Sequence, residues 1–339
     1  MDIKEKFLEL TKSTYPYGTE HLLKEFLPIN IEEDKYGNFF IKIGESSTMF
    51  TCHLDTASRN KEKVNHIIDG KYIRTDKSTI LGADDKAGMT ILLYMIENNV
   101  PGLYYFFCGE EVGCVGSNYA SKLDFSTYNK CVSFDRRAYH SVITHQFGER
   151  CCSDFFAEVL SQRLNKHGNF KYEPDPTGII TDSASFMYNI KECTNISVGY
   201  FKEHTVNEYQ DINFLTQLCK TVIKIDWETL PIERNITTYV YNESFVKEEY
   251  SDTILDIWIE ENKHQAKIKS SRVDEERKEI YEHLCKLGYG EITDVTWDGK
   301  NCYLVYRKGD LEFLADRTEL MDLIPSLYEI DLDDLYLLT

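Results

Sequence analysis

Through residues 1 to about 231 the chain alternates short apolar runs with longer segments whose apolar residues recur three or four positions apart. That pattern arises when strands and helices take turns in a layered α/β fold. Strands are expected at 38–43 (NFFIKI), 48–53 (TMFTCH), 103–108 (LYYFFC), 131–134 (CVSF) and 195–201 (NISVGYF). Helices are expected at 4–12, 19–27, 85–98, 117–123, 153–166 and 211–224. Near Pro231 the style changes. Helix-like segments at 248–262 and 274–287 precede a meander through 292–316, where Asp298-Gly299 and Lys308-Gly309 interrupt alternating runs as hairpin turns do. The reading is a domain at 1–231 followed by a small α+β module at 232–339.

Charge narrows the partners. The 339 residues carry a formal net charge of −19, about 12 of it beyond residue 231, and a phosphate backbone or an anionic membrane repels such a chain. No nucleic-acid or membrane partner is expected. The start lacks a basic segment followed by an apolar core and a small-residue cleavage site, so a secretory leader is not expected. The longest apolar run, MTILLYMI, is too short to span a bilayer. Ten cysteines without zinc-finger spacing, several in strand-like contexts (Cys52, Cys108, Cys131), read as reduced, buried thiols of a cytoplasmic protein.

Metal-capable side chains collect where the expected strands end, which is where open α/β sheets bind ligands. TCHLDT supplies His53 and Asp55; LGADDKAG opens a helix with Asp84 and Asp85. FFCGEEVGCVGS supplies Glu110 and Glu111, SFDRR supplies Asp135, and YFKEHTVNEY supplies His204. Two imidazoles and several carboxylates suit zinc or a similar divalent ion. Adjacent aspartates at 84 and 85 need a positive partner, and a carboxylate reaching between two ions supplies one. Asp84 is the candidate bridge, with Asp85 turned into local structure. Of Glu110 and Glu111, one is expected to coordinate and the other to stay free as a general base. Asp55 is placed to hold the second nitrogen of His53.

Together these motifs resemble the co-catalytic di-zinc exopeptidases, a clan of aminopeptidases, peptidase T and related carboxypeptidases and deacylases. The likeness covers roughly residues 1–230. It includes YGTEHLLKEFL and DKYGNFFIKIG ahead of His-Leu-Asp-Thr, then Gly-Ala-Asp-Asp-Lys-Ala-Gly, Gly-Glu-Glu-Val-Gly, a later Asp and a final His. The resemblance implies a three-layer αβα sandwich on a mixed, mostly parallel sheet, and two divalent metal ions, zinc first among them. It implies His53 and Asp135 on one ion, Glu111 and His204 on the other, Asp84 between them, Glu110 as general base, Asp55 as orienting residue, and a cis Asp84-Asp85 peptide. The stretches from His53 to Asp84 and from Asp135 to His204 are too short for the inserted domains of other branches, leaving the compact, lid-free form.

The function implied is an aminopeptidase acting on peptides, with a deacylase of the same clan, or a partner-binding scaffold with a vestigial site, as rivals. The acidic module offers a surface for homo-oligomerisation. Asp124 is an alternative to Asp135, Glu208 is a possible accessory acid, and TDSASF (181–186) is expected near the site without a role for Asp182. His66, His140, His145 and His167 read as structural.

Overall fold

The computed structural model describes residues 1–146 and 148–236 and, further along, three strands at 291–297, 302–308 and 311–315. In chain order the elements are α1 (Ile3–Leu10), β1 (Glu32–Glu33), β2 (Phe39–Ile43), β3 (Thr48–His53), β4 (His66–Asp69), β5 (Tyr72–Thr75) and α2 (Ala83–Glu97). There follow β6 (Gly102–Phe107), α3 (Val115–Ala120), β7 (Lys130–Arg136), β8 (Ser141–Ile143), β9 (His145–Gln146), β10 (Glu149–Arg150) and α4 (Asp154–Gly168). The series closes with β11 (Glu173–Asp175), β12 (Glu192–Ser197), β13 (Tyr200–Phe201), β14 (Tyr209–Asp211), α5 (Ile212–Val222), β15 (Glu291–Trp297), β16 (Cys302–Lys308) and β17 (Leu311–Ala315). The chain divides into two compact units, Met1–Thr238 and Tyr239–Thr339. In the second, β15, β16 and β17 pair antiparallel in that order, as the alternation of the sequence implies. The helices expected at 248–262 and 274–287 lie outside the described residues.

In the first unit an eight-stranded sheet runs β1-β2-β6-β3-β7-β12-β8-β11. Its centre, β6-β3-β7-β12, is parallel throughout. The β2 and β8 neighbours are antiparallel, so the sheet is mixed. Period-two alternation sends side chains to two cores, as a sheet covered on both faces requires. Phe50, Cys52, Tyr104, Phe106, Val132 and Phe134 join residues of α1, α2, α4 and α5 on one face. Met49, Leu103, Tyr105, Phe107 and Cys131 meet Ala120 of α3 and Phe186 on the other. The architecture is the expected three-layer sandwich, with a thin second outer layer.

Departures from the sequence reading have local causes. Residues Glu20–Phe26 form a 3-10 helix, which stops where Pro28 pushes Leu27 into extended backbone (φ −85, ψ 161). The run at 195–201 breaks at Gly199 (φ 89) into β12 and β13. β13 then pairs in a separate four-stranded sheet, β13-β14-β5-β4, whose strands are two to four residues long and too short to show a period. The eight cysteines of the first unit are free and buried, and among the described residues no helix is long and apolar enough to cross a membrane.

Phe50 sits at the middle of this packing, fully buried, with its ring 5.2 Å from Tyr104, 6.3 Å from Phe134 and 4.9 Å edge-on from Trp227. Phe50→Ala is expected to cost about 3–5 kcal/mol, read as a lowered urea midpoint at unchanged slope. A loss under about 1 kcal/mol would mean that the site collapses freely and is not the packing centre described here.

Candidate metal centre

Three neighbouring parallel strands end on one side of the sheet and carry the first donors there. His53 is the last residue of β3, Asp135 lies one residue from the end of β7, and Glu110 and Glu111 occupy the turn after β6. Asp84 comes from the start of α2 and His204 from the hairpin between β13 and β14, at φ 62. Residues from five separate parts of the chain thus meet. The start of α2 is not helical: Asp84 (φ −79, ψ 104) and Asp85 (φ −117, ψ 43) are turned out of register, and the peptide between them is cis.

That turn aims the two carboxylates apart. Asp84 Oδ1 lies 3.0 Å from His53 Nε2, and Asp84 Oδ2 lies 3.2 Å from His204 Nε2, so one carboxylate stands between the two imidazoles. His53 Nε2 is also 3.6 Å from Asp135 Oδ1, and His204 Nε2 is 3.0 Å from Glu111 Oε2. Asp85 points back into the backbone, accepting the N–H of His53 at 3.3 Å and of Gly88 at 2.8 Å. Its oxygens are near enough to group with His53 and Asp135 within 4.8 Å, but both already have backbone donors. Glu110 stands off, its Oε2 4.0 Å from His53 Nε2.

The balance of charge is lopsided. Five carboxyl groups, those of Asp55, Asp84, Glu110, Glu111 and Asp135, surround two imidazoles, and all except His204, half exposed, are largely removed from water. Burial pushes the carboxyls of Glu110, Glu111 and Asp135 above the usual carboxylate range. Burial also opposes ionisation of Asp84, yet its hydrogen bonds to His204 and His53 hold it well below that range. Against its own burial, His204 is raised to about 11 by Asp84 and Glu111, and His53 is raised by Asp135, Asp55 and Asp84. Five carboxyls against two imidazoles leave the cluster short of positive charge.

A divalent ion fits that deficit. Nitrogen and oxygen donors about 2.0–2.1 Å from a tetrahedral ion stand about 3.4 Å from one another, and the facing donor pairs here span 3.0 to 3.6 Å. Glu111 Oε1 is buried without a hydrogen-bond partner, as a ligand oxygen awaiting a cation would be. Donor atoms of His53, Asp84 and Glu111 all lie within 4.8 Å of one another.

Around the donors, supporting contacts go beyond what the sequence indicated. Asp55 lies beneath His53 Nδ1, with its carbonyl oxygen at 3.2 Å and Oδ1 at 3.4 Å. Its two carboxylate oxygens also accept the N–H groups of Glu110 and Glu111, each at 3.0 Å, fixing the glutamate turn. Asp135 is held by Thr181 Oγ1 at 2.5 Å, by the Tyr200 hydroxyl at 3.0 Å and, through its backbone, by Asn195. Nothing in the linear sequence marks Tyr200 or Asn195; Thr181 is the first residue of the TDSASF segment expected near the site. Lys86, wholly buried, donates to the Leu54 carbonyl at 2.6 Å beside the His53 strand end.

Two side possibilities raised by the sequence fall away, and Asp135 keeps its place. Asp124 is exposed and closes a turn with the Ser126 N–H, so Asp135 is the aspartate at the cluster. Glu208 is not aimed into the cleft as an accessory acid: it is 1% exposed and accepts backbone N–H groups of the Leu81–Asp84 turn. Burial raises it to about 8. Asp182 is buried with neither oxygen hydrogen-bonded, and burial raises it to about 8. The cluster opens into a cleft of about 240 Å³ that runs from Asp84, Glu110 and Asp135 to Ile143, Ile179 and Ile180.

No family model matches the chain. A 75-residue stretch is 39% identical to the uncharacterised protein YqjE of Bacillus subtilis, covering 20% of each, so the chain matches only about a fifth of that curated relative's length. Among solved structures, the aminopeptidase PepT of Bacillus cereus superposes with a TM-score of 0.52 at 16% identity, over 65% of this chain and 96% of that one. A tripeptidase of Staphylococcus aureus gives 0.53 at 18% identity over 66% and 96%. PhTET1-12s, a dodecamer in its asymmetric unit, gives 0.51 at 16% identity over 66% and 98%. At these identities the likeness is one of fold: about two thirds of the chain has the fold of these three structures.

Protein stripped with a chelator and titrated with zinc is expected to take up two equivalents. Its unfolding free energy should rise by about 2.7 kcal/mol for each site when free zinc reaches a hundredfold that site's dissociation constant. Calorimetry showing no uptake by the stripped, folded protein would contradict the donor geometry.

Proposed function

We propose that this chain is a metal-dependent hydrolase of peptide bonds, an aminopeptidase that releases N-terminal residues. The observation that carries the reading is the placement of Asp84, whose two oxygens face His53 at 3.0 Å and His204 at 3.2 Å, with Glu110 standing free beside them. In this reading His53 and Asp135 would hold one divalent ion, Glu111 and His204 would hold the other, and Asp84 would serve both; zinc suits the donors best. What such ions supply when bound is Lewis acidity toward a water molecule and a substrate carbonyl.

The chain's own groups do the rest. Glu110 accepts a proton from the attacking water as the new carbon–oxygen bond forms, then delivers it to the departing amine nitrogen as the carbon–nitrogen bond breaks. Asp55 keeps the His53 ring oriented through Nδ1 and holds the Glu110 backbone in place, so base and ligand share one support. The apolar end of the cleft, at Ile143, Ile179 and Ile180, receives a side chain of the substrate.

The rest of the proposal concerns setting. Residues 1–231 form the catalytic domain and 232–339 an acidic accessory module through which copies of the chain associate, in the cytoplasm. The multimeric assembly of one structural neighbour supports association in general. A deacylase of the same clan remains the rival enzyme, and substrate chemistry separates the two.

Glu110→Gln is expected to retain both ions by elemental analysis while kcat falls by about 10²–10⁴. Turnover within a few fold of wild type would reject Glu110 as the base. On a panel of free peptides, N-acetylated peptides and N-acyl amino acids, only substrates with a free amino terminus are expected to be cleaved. Preference for the N-acyl compounds would make the chain a deacylase.

A further inference from the structure

We infer that Glu208 is a positioning residue that fastens the turn carrying Asp84 to the hairpin carrying His204, so that the two halves of the metal centre are built as one. This rests on the metal-centre reading above.

The start of α2 poses a local problem. The first amides of a helix have no partner within it and are usually satisfied by the side chain of the capping residue. Asp2, Ser153 and Asp211 serve α1, α4 and α5 in that way. α2 becomes regular only after Asp85, whose carboxylate takes the Gly88 N–H, and the irregular turn before it is left with Gly82, which has no side chain to offer that turn's amides. It could not gain one cheaply, since it lies at φ 70 and an added Cβ would stand 2.9 Å from Thr56 Cγ2.

Glu208 supplies the missing acceptor from 124 to 127 residues away in the chain. One oxygen, Oε2, accepts the N–H groups of both Leu81 and Gly82 at 2.8 Å, and Oε1 accepts the N–H of Asp84 at 3.1 Å. Converging backbone amides make a nest for an anion, and a carboxylate bonds them more strongly than a neutral acceptor does. Glu208 lies four residues beyond His204, in the hairpin between β13 and β14. A single buried side chain therefore links the bridging ligand to the loop that presents the opposite histidine.

The consequence is unequal dependence of the two ions on Glu208. His53 and Asp135 are carried on β3 and β7 and are placed by the sheet itself. His204 lies on a hairpin and is about half exposed, and its geometry with Asp84 is set through Glu208. Loss of the link should loosen the ion shared by His204, Glu111 and Asp84 more than the ion at His53 and Asp135.

The test compares wild type with Glu208→Ala and Glu208→Gln, each stripped of metal and titrated with zinc against a competing chelator. The glutamine variant keeps the length and one acceptor oxygen, so it preserves the fold if the alanine variant does not. Two dissociation constants are read for each protein, and amide hydrogen exchange is followed at Leu81, Gly82 and Asp84 without metal. The expected result is a weakening of the second equivalent by about 10- to 100-fold, the first changing less, with faster exchange at the three amides and an intermediate effect for glutamine. Unchanged zinc binding and unchanged amide protection in the variants, beside a wild type that binds two ions, would overturn the Glu208 role alone. Equal weakening of both ions would overturn it too, since that is what general loosening produces. A wild type that takes up no ion would overturn the metal-centre reading and this inference with it.

Discussion

The carboxylate of Asp84, shared between His53 and His204, is the contact around which the candidate centre is arranged. Like charges crowded in a region poor in water are tolerated only where positive charge or oriented dipoles offset them. Here the offset is built from distant pieces: a histidine at the end of a central strand, another on a hairpin, and a helix start turned out of register to present the acid between them. Asp85 is part of the same device. By taking the amides of His53 and Gly88 it leaves Asp84 alone to face the imidazoles. Gly88 has to lack a side chain, because a Cβ there would meet the Asp85 oxygens at 2.4 and 2.5 Å.

Preorganisation runs through backbone amides more than through side-chain pairs. Asp55 ties the Glu110-Glu111 turn to the histidine strand, and Glu208 ties the Asp84 turn to the His204 hairpin. Each carboxylate serves two elements. Amides are fixed dipoles that lose little entropy in being used, which suits a centre where donors must stay within a few tenths of an ångström. The sheet contributes the remaining rigidity, since β6, β3 and β7 are hydrogen-bonded neighbours whose side chains fill both cores.

The layered α/β class was legible in residues 1–231 because short runs such as TMFTCH, buried along their whole length, take turns with helices such as α5, whose buried residues Ile212, Leu215, Leu218, Cys219 and Val222 recur three or four apart. Pieces of two to four residues, including β13 and β14, were not legible, because no period fits in so short a run. The cluster itself could be anticipated from His53, Asp84, Glu110, Glu111, Asp135 and His204, since metal-capable residues at successive strand ends have few other reasons to coincide.

What the sequence determined by itself is the chemistry at hand: which side chains can donate to a cation, and that strand ends would carry them to one side of a sheet. Only the tertiary structure decided which partners those side chains take. Glu208 and Asp124 are both acids in polar stretches of sequence, yet one is buried against the amides of a turn more than a hundred residues away and the other closes a surface turn with Ser126. The difference lies in where backbone amides are left without partners, and that depends on how the chain packs in space, which residue order alone does not reveal.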